Sequence, residues 1–313
     1  VSFMDVNCAY CLIELNSMYK FYINDYTLFL CPFCGSITLA PQNHYNDYPT
    51  SYFGSDTKKF SFPFIQRVID FFQHHKGKQL SKWLIKNVNI LDIGCGDGQI
   101  LTSLAKKKHG NFVGIELENK ALQRAKQNNK IEVLSTNIFN YFPNIKFDMI
   151  ICNHSFEHIH NPLSLIKHVN YLLKKDGFFY INIPNANSFQ FHFFRSKWLH
   201  LDPPYHLHIP NISKFSLILE DNGFIIKKIN HFNFIQNISS FILSFGNFFF
   251  KPFNKLFNIL KNPYPIYKNI LYIIILLILA VLLILPATLE YIISGFIKKG
   301  ATVEIIAQKI NDI

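Results

Sequence analysis

The chain has 313 residues, six cysteines and a formal net charge of +11. That length accommodates one large domain and one small one, and no Gly/Ser linker or internal repeat divides it further. The basic excess is discounted as a sign of a nucleic-acid partner, because Lys is enriched together with Asn, Ile and Phe, as a drift toward AT-rich codons produces.

In chain order, the first signal is Cys8-x-x-Cys11 followed by Cys31-x-x-Cys34, with 19 residues between the pairs. This is the spacing of a four-cysteine zinc ribbon, two knuckles whose thiolates converge on one tetrahedral ion. Pro32 and Gly35 supply turn chemistry, and residues 26–30 read as the strand feeding the second knuckle. Four thiolates leave no open coordination position, so the zinc is expected to be structural. Two disulfides are the competing reading; no signal peptide is read, and Cys95 and Cys152 look like small buried residues elsewhere. Lys20 is the ribbon's one basic residue, which argues against nucleic-acid binding. We place the ribbon at 1–40 and a linker with covering helices (64–72 and 80–85) at 41–86.

The run Ile-Leu-Asp-Ile-Gly-Cys-Gly-Asp-Gly at 90–98 reads as a buried strand, a glycine turn and the start of a helix. A dinucleotide fingerprint would need a third glycine where Gln99 stands. Here Gly94, Gly96 and Gly98 alternate, and the carboxylate of Asp92 suits a cofactor carrying cationic groups. A second strand, 111–117, contains Glu116 at its end, 24 residues after Asp92. Helices follow at 101–108 and 120–128, then strands at 131–134 and 147–152, a helix at 162–173, a turn at 174–177 and a strand at 178–183. A helix at 213–222, a strand at 224–229 and a last strand at 302–308, antiparallel to the sixth, complete an α/β doubly wound, seven-stranded sheet.

The motif Asp92-x-Gly94-x-Gly96-x-Gly98 resembles the first motif of class I S-adenosylmethionine-dependent methyltransferases, and the likeness can be followed from residue 87 to 308. It implies that S-adenosylmethionine is held by Asp92, Gly94, Gly96, Gly98, Glu116 (ribose hydroxyls), Asn137 (adenine) and Asn153. The methyltransferase domain would comprise 87–231 plus 300–313. Asn153-His-Ser-Phe-Glu-His-Ile-His160 resembles the Glu-His loop of a subgroup acting on small molecules and glycans. The segment with Trp198, Pro204 and His206 resembles that subgroup's substrate loop, so Glu157, Trp198, Tyr205 and His208 are the substrate candidates. Asp202-Pro-Pro-Tyr205 spells the signature of base-methylating enzymes, but it follows the fifth strand instead of the fourth, and we set that reading aside. A hydroxyl acceptor needs a general base. His154 and His206 lead, with His158 beside them, and Glu157 is expected to orient a neighbour or cap a turn. The ribbon is expected beside this site as a lid or substrate wall.

Residues 269–289 contain no charge, nor do 232–250, and both stretches lie between the sixth and seventh strands. Those strands share one sheet, so a single membrane crossing is excluded, and two crossings would put Lys251, Lys255, Lys261 and Lys268 outside. The insert, 232–299, is therefore expected in the cytoplasmic leaflet, making the protein cytoplasmic and peripheral on the inner face of the membrane. Core helices or a homodimer contact are the soluble alternatives, and Pro286 is expected to kink the second helix. These parts together predict O-methylation of a sugar or glycan, plausibly lipid-linked. The alternatives are methylation of a quinone-type or other small aromatic or isoprenoid precursor, and a membrane-attached module that binds cofactor without turnover.

Overall fold

A computed structural model of the chain describes residues 6–15, 19–41, 59–60, 62–85, 87–262 and 264–312. Most of the expected linker at 41–60 lies outside them. At the N-terminus, β1 (Val6–Asn7) and β2 (Glu14–Leu15) flank the first cysteine pair. Next, β3 (Lys20–Ile23), β4 (Tyr26–Leu30) and β5 (Ile37–Leu39) form an antiparallel sheet, with the second pair in the turn after β4. The four sulfurs lie within 4.8 Å of one another, with Cys8 Sγ to Cys34 Sγ and Cys11 Sγ to Cys31 Sγ both 3.5 Å. A disulfide would bring them to about 2.05 Å, so all four are free thiols. The donor set fits one tetrahedral ion. Cys34 is pushed down to about 4, chiefly by its hydrogen bond with Cys8 and against the effect of burial, with Ser36 assisting.

The helix α1 (Pro63–Leu80) runs unbroken for 18 residues, with Pro63 opening it, and a short helical turn at Ser81–Trp83 follows. This replaces the two separate helices expected at 64–72 and 80–85. Gly77 does not break α1, because its bare Cα packs against Ser103. Then come β6 (Asn87–Ile93), α2 (Gln99–Ala105), β7 (His109–Glu116), α3 (Lys120–Lys126), β8 (Glu132–Ser135), β9 (Phe147–Asn153), α4 (Pro162–Leu172), β10 (Leu173–Pro184) and α5 (Phe189–Phe194). After β11 (His208–Ile209) follow α6 (Ile212–Asp221), β12 (Phe224–Asn230), α7 (Phe234–Phe249), α8 (Lys255–Lys261), α9 (Ile266–Phe296) and β13 (Thr302–Lys309).

The sheet order is β12-β13-β10-β9-β6-β7-β8, parallel throughout except for β13, which is antiparallel to both neighbours. With helices on both faces, the central strands are continuous apolar runs: Ile90, Leu91, Met149, Ile150, Ile151 and Ile181 are fully buried. The expected turn at 174–177 lies inside β10 as a bulge. Pairing with β9 jumps from Leu173 to Phe178, and Asp176 takes up the bend at φ 63°. Strand order reverses where β6 lies between β9 and β7, which opens a crevice at the strands' carboxyl ends.

The insert divides into unlike helices. Residues Asn237, Ile238, Ser240, Phe241, Ile242 and Leu243 of α7 are buried. Asn237 Oδ1 accepts from Thr302 N at 3.0 Å, and Leu199 N donates to Ser244 Oγ at 2.8 Å, so α7 is tied to the last strand and to the 197–201 segment. In contrast, only 6% of the most apolar stretch of α9 is buried, which excludes a core helix there. It continues through Pro286 as one 31-residue element.

Candidate active site

At the carboxyl end of β6 the chain turns through three left-handed glycines, Gly94 (φ 70°), Gly96 (φ 55°) and Gly98 (φ 70°). A Cβ built on Gly96 would meet nothing within 4 Å and would project into open space. Gly96 N–H donates to Glu116 Oε2 at 2.8 Å, while Glu116 Oε1 accepts from Leu117 N and Asn119 Nδ2, both at 3.0 Å. Burial raises the Glu116 pKa, and these donors oppose that rise. Asp92 is 2% exposed and its Oδ1 has no partner among the described residues. Burial first, and then the charge of Glu116, lifts its pKa well above the usual carboxylate range. A buried carboxylate aimed at an open notch, beside a backbone cradle that a methyl would fill, fits a cofactor with cationic and hydroxyl donors.

These groups line one end of a cavity of about 1500 Å³, together with Asn137 and Asn153. Asn137 Oδ1 accepts from Phe139 N at 3.0 Å and caps the turn after β8. Asn153 Oδ1 accepts from Asn182 Nδ2 at 3.0 Å. Gly98 is not on the cavity wall. It is the N-cap of α2, and Ile131 fills the space where its Cβ would stand.

Past the end of β9 the wall becomes a histidine cluster around Glu157, which has no exposed surface. His154 Nδ1 is 3.4 Å from Glu157 Oε1 and His206 Nε2 is 3.9 Å away. Neither carboxylate oxygen makes a hydrogen bond among the described residues. Burial would raise the Glu157 pKa, but His154, His206 and His158 together bring it down to about 2. His206 Nδ1 pairs with the His200 carbonyl at 2.5 Å and His158 Nδ1 with the Tyr205 carbonyl at 2.8 Å. Both therefore donate from Nδ1 to those carbonyls, and His206 Nε2 is the nitrogen that faces Glu157. With His154 Nδ1 facing the carboxylate, its buried Nε2, which has no partner among the described residues, is left as an acceptor on the cavity wall.

Sequence reasoning missed His200. Its ring stacks on His154 (centroids 6.4 Å apart, planes 7° apart), it lines the cavity, and its Nε2 has no hydrogen-bond partner among the described residues. The one available signal was its position two residues after Trp198. Tyr205 and Glu157 line the cavity, but Trp198 and His208 do not. Trp198 is fully buried against Phe191 and His200. His208 is turned toward the ribbon, because β11 pairs with β5. It bonds Tyr10 Oη at 2.6 Å and the Ile159 carbonyl at 2.8 Å. No described ribbon residue lines the cavity, so the ribbon braces the back of the substrate segment instead of walling it, and α1 supplies the cover.

The fold and site are those of a class I methyltransferase, a seven-stranded sheet with a glycine turn and an acidic partner at its crevice. Residues 64–228 match a family of methyltransferase domains, and the chain belongs to that family. A ubiquinone biosynthesis O-methyltransferase from Actinobacillus pleuropneumoniae is 33% identical over 107 residues, covering 31% of this chain and 45% of that protein. A ribosomal protein L11 methyltransferase from Dictyoglomus turgidum is 34% identical over 110 residues, covering 34% and 36%. The chain thus spans about half or less of the length of the curated relatives it matches. Among solved structures, a Haloferax volcanii complex between the Trm112 methyltransferase activator and a candidate methyltransferase matches at TM-score 0.52 and 11% identity, over 87% of this chain and all of that one. A candidate sarcosine dimethylglycine methyltransferase from Galdieria sulphuraria matches at 0.50 and 12%, over 79% and 87%. These share the fold.

Two outcomes follow. Gly96→Ala should weaken S-adenosylhomocysteine binding at least about tenfold, roughly 1.4 kcal/mol, in calorimetric titration. It should lower Tm by about 2–4 °C, the cost of an alanine at a left-handed φ, since the added methyl meets no protein atom. Burial holds His158 and His208 at about 4 in the folded chain, whereas the unfolded chain takes up protons below about 6.5. Stability is therefore complete above about pH 6.5 and falls toward pH 4, by up to about 1.4 kcal/mol per pH unit for each histidine. Glu157, held at about 2, adds a further loss below its ordinary value near 4.5. A denaturation midpoint that stays flat between pH 7 and 4.5 would contradict this.

Proposed function

We propose that the protein is an S-adenosylmethionine-dependent methyltransferase acting on a hydroxyl oxygen. The observation that carries the proposal is the juxtaposition, on one cavity, of the Asp92–Gly96–Glu116 cradle and the His154–Glu157 pair. S-adenosylmethionine, when bound, supplies an electrophilic methyl on a sulfonium. Asp92 and the glycine turn are suited to its amino-acid part, Glu116 to its ribose and Asn137 to its adenine. His154 Nε2 takes the proton of the acceptor hydroxyl, and Glu157 stabilises the resulting imidazolium through Nδ1. His206, whose Nε2 lies 3.9 Å from Glu157 Oε1, helps keep the carboxylate in its charged form. Tyr205 and Glu157 remain as substrate-side groups, whereas Trp198 and His208 act through packing.

Among acceptors we favour a sugar or glycan carried on a lipid. Supporting this is the density of buried polar atoms with no hydrogen-bond partner among the described residues (His154 Nε2, His200 Nε2 and both Glu157 oxygens), which a polyhydroxylated ring would satisfy. A prenylated aromatic ring of quinone type is the second reading. It is favoured by the curated relatives named for ubiquinone biosynthesis. We also propose that Cys8, Cys11, Cys31 and Cys34 hold one structural zinc.

Host membrane extract incubated with the protein and methyl-labelled S-adenosylmethionine should yield organic-phase label that mild acid moves to water. Acid-stable organic label would select the prenylated ring. In the same assay, His154→Ala should lower turnover by about a hundredfold or more with S-adenosylhomocysteine affinity unchanged. Cofactor binding without turnover, in wild type and variant alike, would leave only a binding module. Elemental analysis should find one zinc per chain, and Cys34→Ser should lose it and lower Tm.

A further inference from the structure

The helix α9 carries two apolar stripes on opposite sides. The inner one (Leu276, Leu279, Leu283 and Ala287) packs on the α7 side. The outer one follows a 3–4 spacing through Leu271, Ile274, Ile278, Val281, Leu285 and Leu289, exposed by 46–76%. A 31-residue helix is about 46 Å long, so this stripe far exceeds the scattered apolar exposure usual on a soluble surface. The helix cannot stand across a bilayer, because it is docked at both ends. Tyr272 meets Phe250 just past the end of α7, and Tyr291 meets Phe232 and Phe234 at its start.

The surroundings identify what covers the stripe. Between Asp221 and Glu290 the sequence has no carboxylate, but Lys251, Lys255 and Lys268 lie near one end of α9, and Lys298 follows the other. Tyr264, Tyr267 and Phe249 are 67–74% exposed beside the first group, as aromatic side chains sit at a headgroup boundary. A second copy seated on this stripe would find no carboxylates there to meet those lysines. An anionic bilayer meets them and takes up the stripe together. Ile284 lies between the two stripes, is 49% exposed, and also lines the cavity, with Ile238, Ile242, Phe257 and Leu260 continuing the apolar wall inward.

We propose that the outer face of α9 lies in the interfacial layer of an anionic lipid bilayer, with the apolar end of the cavity opening beside Ile284 to receive the acceptor's hydrocarbon chain. The second half rests on the acceptor reading above; the first does not. Flotation with vesicles of phosphatidylcholine and phosphatidylglycerol in equal parts should carry the full chain, while phosphatidylcholine alone carries at least tenfold less. The triple variant Ile278→Gln, Val281→Gln, Leu285→Gln should lose flotation at least tenfold. Because these side chains are exposed, it should keep wild-type S-adenosylhomocysteine affinity, which confirms that it folds. Dodecyl glucoside should bind in calorimetric titration, and Ile284→Trp should weaken it about tenfold without changing S-adenosylhomocysteine binding. Wild type that stays with the aqueous phase, a triple variant that floats equally well, or a wild-type dimer that the triple variant splits would overturn the docking. Unchanged dodecyl glucoside affinity in Ile284→Trp would overturn the cavity mouth alone. Flotation with no methyl transfer would sink the acceptor reading and leave the docking standing.

Discussion

A carboxylate with no exposed surface must find its compensation inside the protein, and Glu157 finds it in histidines. The cost of burying an isolated charge is large enough that the side chain would otherwise take up a proton. His154, three residues earlier, and His206, arriving from a segment 49 residues later, hold it ionised instead. This one requirement fixes the relative positions of the loop after β9 and the segment before β11. Leu207 N–H donates to the Glu157 carbonyl at 2.9 Å, so backbone and side chain tie the same two segments.

The ribbon extends that tie outward. By pairing β11 with β5 and bonding Tyr10 to His208, it adds the substrate segment to its own sheet. The four-cysteine cluster therefore lies behind the histidines, without touching the cavity. A small sheet gains little from a core of its own, and the pairing of β11 with β5 links the cluster's sheet to His206 through Leu207 and His208.

What the sequence made legible follows from the range of each signal. The glycine turn, Glu116 and the strands of the sheet are local patterns set by backbone geometry and by burial on both faces, and they stand where spacing put them. The cysteine knuckles are also local. Trp198 and His208 went the other way, because their motif defines a segment but not which side of it faces the cavity. That direction is decided by β11 joining the ribbon, a contact between residues about 170 apart in the chain. His200 was invisible for the same reason, since its partner His154 lies 46 residues away. The unbroken α1 illustrates a different limit: the polar residues between its apolar segments read as a break, but Gln73, His75, Lys76 and Gln79 line the cavity and Gly77 packs on Ser103, so the helix continues through them.

The insert shows how an addition can be large without disturbing the sheet. It joins β12 to β13, neighbours in an antiparallel pair, so its two ends must return to within one strand spacing of each other. A helical hairpin satisfies that constraint, and α7 and α9 run antiparallel for this reason. The hairpin must then lie along the domain, since either helix standing away from it would expose the polar side of α7, where Asn237, Ser244 and Asn247 bond the domain. Once α7 is bound this way, α9 is left outside it with one stripe facing in and one facing out. The apolar cavity wall and the apolar outer face are thus two sides of one hairpin, and their meeting at Ile284 follows from the strand pairing that anchors it.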